Sequence, residues 1–264
     1  MQSRYYNPQW KRFVNADAFC DTEAGAISTN MFAYCESNPI NFVDPTGYAK
    51  APSDLEAYIK ATFGSAISNS KGQDVSVSVK GNKITITAYF WIDTKNNTKK
   101  DVILNGIKEY WKGNFTVFGY KNVALETKVT EVKRNIFDNS QWCVDIYSYA
   151  KYNSKYKAFT SVMKDGKYDT FSNWKPSARK RIEFYEYGSN NKLRSDKEIK
   201  SDAAHEFAHV LGIQTDLYSS SATLQKKYKN SIMYIYGDNR FKLTGTDIEK
   251  VLTAFAKKKY QKYE

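Results

Sequence analysis

Apolar residues recur along this chain in two rhythms, and the switches between them mark out its elements. Val75, Val77 and Val79 alternate with serines, and Lys80-Gly81-Asn82-Lys83 then turns the chain into Ile84–Ile92. A period of two buries one face of a strand, so these runs predict a hairpin whose second strand is apolar enough in its later half to be central. From about Lys100 the period lengthens. Val102, Ile103, Ile107, Tyr110 and Trp111 fall on one side of a helix that Gly113 stops. Strand-like runs follow at Val123–Val132, Cys143–Ala150 and Arg181–Tyr187, with stretches rich in Tyr, Lys and Ser between them that read as loops and an edge strand.

Caps predict three further helices. Ser53-Asp54-Leu55-Glu56 reads as a capping box, followed by Leu55, Tyr58, Ile59 and Phe63 at helical spacing up to Gly64. Ser195-Asp196-Lys197-Glu198 opens a helix expected to run to Leu211, with Gly212 past its end. Thr244-Gly245-Thr246-Asp247 caps a helix with Ile248, Val251, Leu252 and Phe255 on one face. The basic Lys257–Lys262 tail is expected to fray. Residues 1–48 differ from the rest: Pro, Asn and Gly punctuate them at short intervals, as in a series of short strands and turns. The expected organisation is an N-terminal segment at 1–48, a linker and short helix at 49–70, and one α+β domain at 71–264.

Composition narrows the classes. At 41% hydrophobic and 16% aromatic the chain is globular rather than disordered. No apolar run approaches the ~20 residues of a membrane span. Met1-Gln2-Ser3-Arg4-Tyr5-Tyr6 leads into no apolar core, so no signal peptide is expected and export would depend on a partner or a larger parent chain. Cys20, Cys35 and Cys143 have no CxxC spacing; free thiols are the expectation, with a Cys20–Cys35 bridge the alternative. Residues 1–50 hold four basic against five acidic side chains, so residues 51–264 carry a net charge of +13. Such a surface attracts nucleic acid, anionic membranes or acidic proteins. Its lysines are dispersed rather than clustered with aromatics, which favours a solvated surface over a nucleic-acid partner.

The sharpest chemical signal is His205-Glu206-Phe207-Ala208-His209, which contains the only two histidines of the chain. Positions i and i+4 stack on one helix face, so both imidazoles can reach one ion, and Glu206 can lie beside a water held there. Ala203, Phe207, Val210 and Leu211 form the apolar stripe next to them. This is the HExxH pattern of zinc hydrolases, with the histidines as ligands and Glu206 as general base. Gly212 follows His209 by three residues, where a chain leaving a helix must turn sharply.

With Ser231-Ile232-Met233-Tyr234 and Leu243-Thr244-Gly245-Thr246-Asp247-Ile248 downstream, this part of the chain resembles a metzincin, and the matrixin pattern in particular. The resemblance implies a zincin-like mixed sheet with a zinc helix and a C-terminal helix, a Zn2+ cofactor, and Met233 as an apolar floor beneath the metal. Tyr234 and Tyr236 are candidates for stabilising the oxyanion. The family places its third ligand six residues after the second histidine, where this chain has Thr215. Asp216 is one residue later and a carboxylate is a proper zinc ligand. The alternative is an ordinary loop aspartate, with water or a remote group completing the site.

Arg4-Tyr5-Tyr6-Asn7-Pro8-Gln9-Trp10-Lys11-Arg12-Phe13, Asn30–Pro39 and Asp44-Pro45-Thr46-Gly47 resemble the C-terminal end of an RHS repeat-associated core, through its RYYxPxxxRF, YxYxxNNP and DPxG elements. That resemblance implies a shell enclosing a variable toxin module, released by cleavage near Tyr48-Ala49, with a cognate immunity protein as partner. Asp44 matches the DPxG aspartate. Asp17 stands at an earlier DPxG-like element that reads Asp-Ala-Phe. The two are candidates for an autocleavage pair, or for turn residues. The leading expectation is a zinc endopeptidase acting on a protein substrate as the toxin module of a secreted RHS effector. A nucleic-acid-acting toxin and a peptidase-like binding module are the alternatives.

Overall fold

The computed structural model describes residues 4–16, 30–40, 42–44, 51–64, 67, 75–93, 99–133, 142–147, 163–164, 167–168, 181–185, 193–234 and 242–264. The chain divides into two compact units, Met1–Ser65 and Ala66–Glu264, so the short helix expected within a linker belongs to the first unit.

The N-terminal unit holds two small antiparallel ladders. Strand β1 (Tyr6–Asn7) pairs with β2 (Arg12–Phe13), and β3 (Phe42–Val43) pairs with β4 (Ala51–Pro52). Phe13 is the buried centre, edge-on to Tyr6 and Tyr34. The Arg4 guanidinium stacks 3.7 Å from the Phe13 ring centroid and bonds the buried Asp44 carboxylate at 3.0 Å. Cys35 is a buried thiol and not half of a bridge to Cys20. Helix α1 (Leu55–Phe63) starts one residue later than the capping box predicted: Asp54, not Ser53, is its N-cap and accepts from the Ala57 N–H at 2.8 Å. Either residue has the short acceptor side chain a cap requires, so sequence alone does not choose between them.

The second unit is α+β, built on a six-stranded mixed sheet. Strand β5 (Val75–Lys80) turns into β6 (Lys83–Asp93), and helix α2 (Lys100–Tyr110) crosses over to β7 (Gly113–Val117) and β8 (Tyr120–Glu131). Strand β9 is Trp142–Tyr147, β10 and β11 (Met163–Lys164 and Lys167–Tyr168) form a separate short ladder, and β12 is Arg181–Tyr185. The main path runs β12-β9-β6-β8-β7. Strand β6 is central, as its composition predicts, and parallel to both β8 and β9; β5 and β7 pair antiparallel. The β7 strand is an addition to the sequence reading. Phe118 and Gly119, both at positive φ, close its two-residue hairpin to β8.

Register sets one buried face. Ile84, Ile86 and Ala88 of β6 lie beside Leu125, Thr127 and Val129 of β8, all buried, while Thr85 and Thr87 face the other way. Helices α2 and α3 (Asp196–Val210) cover that face. Phe207 of α3 meets Phe90 and Trp111 edge-on, and the Trp111 indole N–H donates to the Ala204 carbonyl at 2.9 Å. Helix α4 (Ala222–Lys227) and helix α5 (Gly245–Lys257) complete the unit. No helix among the described residues is long and apolar enough to cross a membrane.

The tail after α5 is not frayed. Lys258 takes a left-handed conformation that turns the chain back, and Tyr263 is only 4% exposed. Partners distant in sequence hold the tail, and local composition does not reveal them.

Gly106 lets α2 and α3 cross closely, since a Cβ there would stand 2.6 Å from the Lys200 Cα. Gly106→Ala sets the ~1 kcal/mol that Ala ordinarily gains over Gly within a helix against an overpacking cost of ~1–3 kcal/mol at a rigid backbone contact. A net loss is expected, seen as a lower urea midpoint with unchanged slope. A higher midpoint would contradict the close crossing.

Candidate metal centre

Helix α3 delivers the first three groups of the site. Ser195 and Glu198 make a reciprocal capping box at its start, which fixes the helix register leading to His205, Glu206 and His209. Both histidines are 5% exposed. Their donor atoms and a Glu206 carboxylate oxygen lie within 4.8 Å of one another, and the three residues could hold a metal ion.

Each imidazole is oriented by its other nitrogen. His209 Nδ1 donates to the Ile213 carbonyl at 2.7 Å, and His205 Nδ1 to the Ile232 carbonyl at 3.1 Å. With the proton held on Nδ1, Nε2 carries the lone pair that a metal requires. Both Nε2 atoms converge on one carboxylate oxygen, Asp216 Oδ1, at 3.2 Å from His205 and 3.0 Å from His209. A four-coordinate ion with bonds of ~2.0–2.1 Å keeps its donors roughly 3.3 Å apart. Each imidazole therefore stands from the Asp216 oxygen at nearly the spacing of two ligands on a common cation.

Gly212 makes this possible. At φ 97° it reverses the chain after α3, with its N–H donating to the His209 carbonyl and that of Ile213 to Ala208. The returning loop places Asp216, not Thr215, at the histidines. Thr215 is engaged elsewhere, its hydroxyl accepting the Tyr263 backbone N–H at 3.2 Å.

The third side is the turn Ile232–Tyr234. Ser231 Oγ accepts from the Met233 N–H at 3.0 Å and donates to Asp247 Oδ1 at 2.5 Å. Asp247 also accepts the Thr244 N–H and hydroxyl in the α5 capping box, and the Tyr263 phenol. Burial pushes its carboxyl pKa up in spite of these donors. Met233 is fully buried in the turn and Tyr234, half-buried, ends it. Tyr236 lies outside the described residues. So does Asp17, whereas Asp44 of the N-terminal unit is the buried partner of Arg4.

Two further residues join the site that sequence reasoning did not find. The exposed Tyr218 ring tilts toward His205 with centroids 6.4 Å apart. It follows Asp216 by two residues, but one tyrosine among 21 carries no signal. Asp202, one turn before Glu206, is paired with Arg194, and burial raises its pKa.

Without a cation, protons take up the strain of these facing groups. Burial disfavours the His205 imidazolium, but the Asp216 hydrogen bond and the charges of Glu206 and Asp216 outweigh it and raise its pKa from 6.5 to about 9. Burial also acts against the Asp216 carboxylate, yet bonds from both histidines hold it well below the usual range. Burial raises Glu206 from 4.5 to about 7, with the two histidines opposing. Its Oε2 is buried with no hydrogen-bond partner among the described residues.

His205 and Glu206 both bind protons more tightly in the folded metal-free chain than in the unfolded one. A native state holding extra protons loses stability as pH rises. The His205 contribution is fully present below 6.5 and disappears as pH passes about 9; the Glu206 contribution is present below 4.5 and disappears through about 7. Urea unfolding of the metal-free protein is therefore expected to show stability declining from about pH 5 to about pH 9. A profile rising over that interval would contradict the assignment. No protein-family model, curated protein or solved structure matches this chain.

Proposed function

We infer that the second unit is a zinc-dependent endopeptidase of metzincin type, and that the chain is the C-terminal toxin portion of an RHS effector. The observation that carries the enzymatic reading is the convergence of His205 Nε2, His209 Nε2 and Asp216 Oδ1, with the buried Glu206 Oε2 at 3.9 Å from His209 Nε2. Two imidazoles and one carboxylate are the donor set of a catalytic zinc with an open position. The order of sheet, metal helix, Met233 turn and capped last helix supports the zincin-like reading.

Zinc held by these three residues would supply a Lewis acid that polarises the scissile carbonyl and lowers the pKa of water to about 7. Glu206 accepts the proton of the attacking water on Oε2 and passes it to the departing amine nitrogen, so one carboxylate acts first as base and then as acid. Its lack of a partner leaves that oxygen available for this transfer. Met233 packs as the apolar floor, and Tyr234 and Tyr236 are the candidates to donate to the developing oxyanion.

The RHS reading of the N-terminal unit rests on its sequence elements. It supplies a setting: delivery from a larger parent chain, a protein target, and a cognate immunity protein. For self-cleavage at Tyr48-Ala49, the pairing of Asp44 with Arg4 favours a structural role for that aspartate. The dispersed lysines are read as a solvated surface, and a nucleic-acid target finds no second cluster of metal-ligating side chains among the described residues.

Glu206→Gln keeps the shape of the side chain and removes the base. It is expected to lower the turnover of an unfolded protein substrate by ~10²–10⁴-fold while zinc remains bound. Proteolysis by the parent should vanish on chelation and return with added zinc. Full activity of the variant, or a parent that binds no zinc, would sink the reading.

A further inference from the structure

We propose that the C-terminal tail, through Gln261, Tyr263 and Glu264, is a positioning element of the metal centre, fixing through one short segment the two carbonyls that aim the imidazoles. This rests on the metal-site reading above and goes beyond the three donors and the base.

The first carbonyl is that of Ile213. The tail pairs with the loop on either side of it, Gln261 N–H donating to the Gly212 carbonyl at 2.9 Å and Gln214 N–H to the Gln261 carbonyl at 2.8 Å. The loop between the metal helix and Asp216 thereby becomes a short bridge of parallel backbone, Ile213 opposite Gln261. Tyr263 N–H, on the Thr215 hydroxyl, extends this hold to the residue before Asp216.

The second carbonyl is that of Ile232. It lies between Ser231 and Met233, which are tied together by the Ser231 hydroxyl. That hydroxyl bonds Asp247, and the Tyr263 phenol bonds the same oxygen of Asp247. The phenol also stands 3.2 Å from Ser231 Oγ. Tyr263 thus reaches the Asp216 loop through its backbone and the methionine turn through its side chain. The far end is held as well: the Glu264 carbonyl accepts from Lys227 Nζ at 2.9 Å and Tyr228 Oη at 3.0 Å, and the Tyr228 and Tyr263 rings lie 4.7 Å apart.

The physical consequence is shared control. A free imidazole that must be oriented on binding lowers metal affinity, and groups behind the ligands remove that cost. Here the groups behind both ligands are backbone carbonyls, which have no rotamer of their own but move with their loops. A tail bonded to both loops suppresses that motion for His205, His209 and Asp216 together.

The test uses the full chain, with zinc affinity read by competition with a chromophoric chelator and the two histidines observed by nitrogen-15 NMR. Tyr263→Phe retains the ring against Tyr228 and removes only the phenol hydroxyl. Gln261→Pro removes the N–H given to Gly212. Both are expected to weaken zinc binding roughly 10-fold or more, and to speed solvent exchange of the imidazole Nδ1–H signals in the zinc-loaded protein. Lys262→Ala, on the exposed side of the tail, should match the parent in both readouts. Should Gln261→Pro fail to fold, Tyr263→Phe decides. Parental affinity and parental Nδ1–H exchange in Tyr263→Phe would overturn the proposal. A parent chain that binds no zinc would instead overturn the metal-site reading itself.

Discussion

Each imidazole of the α3 pair gives its Nδ1–H to a backbone carbonyl, and those carbonyls come from two separate stretches of chain. Ile213 belongs to the loop leaving the helix; Ile232 belongs to a turn reached only after α4. Once both protons are placed on Nδ1, both Nε2 lone pairs face inward. They then meet the Asp216 carboxylate, with a second, half-buried carboxylate alongside, that of Glu206, whose Oε2 is enclosed. Four groups of this kind, largely shut off from water, are stable together only with positive charge among them. Protons supply it in the metal-free chain. A divalent ion would supply it more completely, which is why this corner of the molecule reads as a metal centre rather than as a buried polar accident.

The remainder of the unit can be understood as support for that corner. The sheet buries one face against α2 and α3, and the Phe90, Trp111 and Phe207 rings lock α3 in place. Gly106 brings α2 close enough for Trp111 to bond the Ala204 carbonyl, one residue before His205. Helix α5 plays a comparable part for the methionine turn, since Asp247 serves at once as capping residue and as acceptor for Ser231. Its buried carboxylate would be costly without those donors.

Much of this was legible in the sequence wherever the signal is local. The Ser195 capping box and the Thr244 cap occur as written, while the box expected at Ser53 gives way to an Asp54 cap, and the i, i+4 histidines share a face because helical geometry demands it. Alternation placed β5, β6 and β8 within a few residues. Strand β7 was missed because Gly113-Asn114-Phe115-Thr116-Val117 alternates too briefly to stand out, and its hairpin turn at Phe118-Gly119 lacks the usual Asn or Asp. That Asp216 rather than Thr215 faces the histidines goes with a contact from Tyr263, some way along the chain, whose N–H engages the Thr215 hydroxyl. The same distant contacts turned an expected frayed tail into a fastened one. A lysine-rich composition describes its exposed side and conceals Tyr263. The zincin-like family and the RHS setting remain proposals carried by short motifs.

X-ray absorption at the zinc edge of the loaded, substrate-free protein tests the central claim most directly, because it counts the ligands without reference to activity. The chain has only two histidines, so the account predicts scattering from two imidazoles completed by oxygen at ~2.0–2.2 Å, with no sulfur, and one oxygen shell altered in Asp216→Ala. Sulfur in the first shell, a single imidazole, or a spectrum unchanged by Asp216→Ala would contradict it.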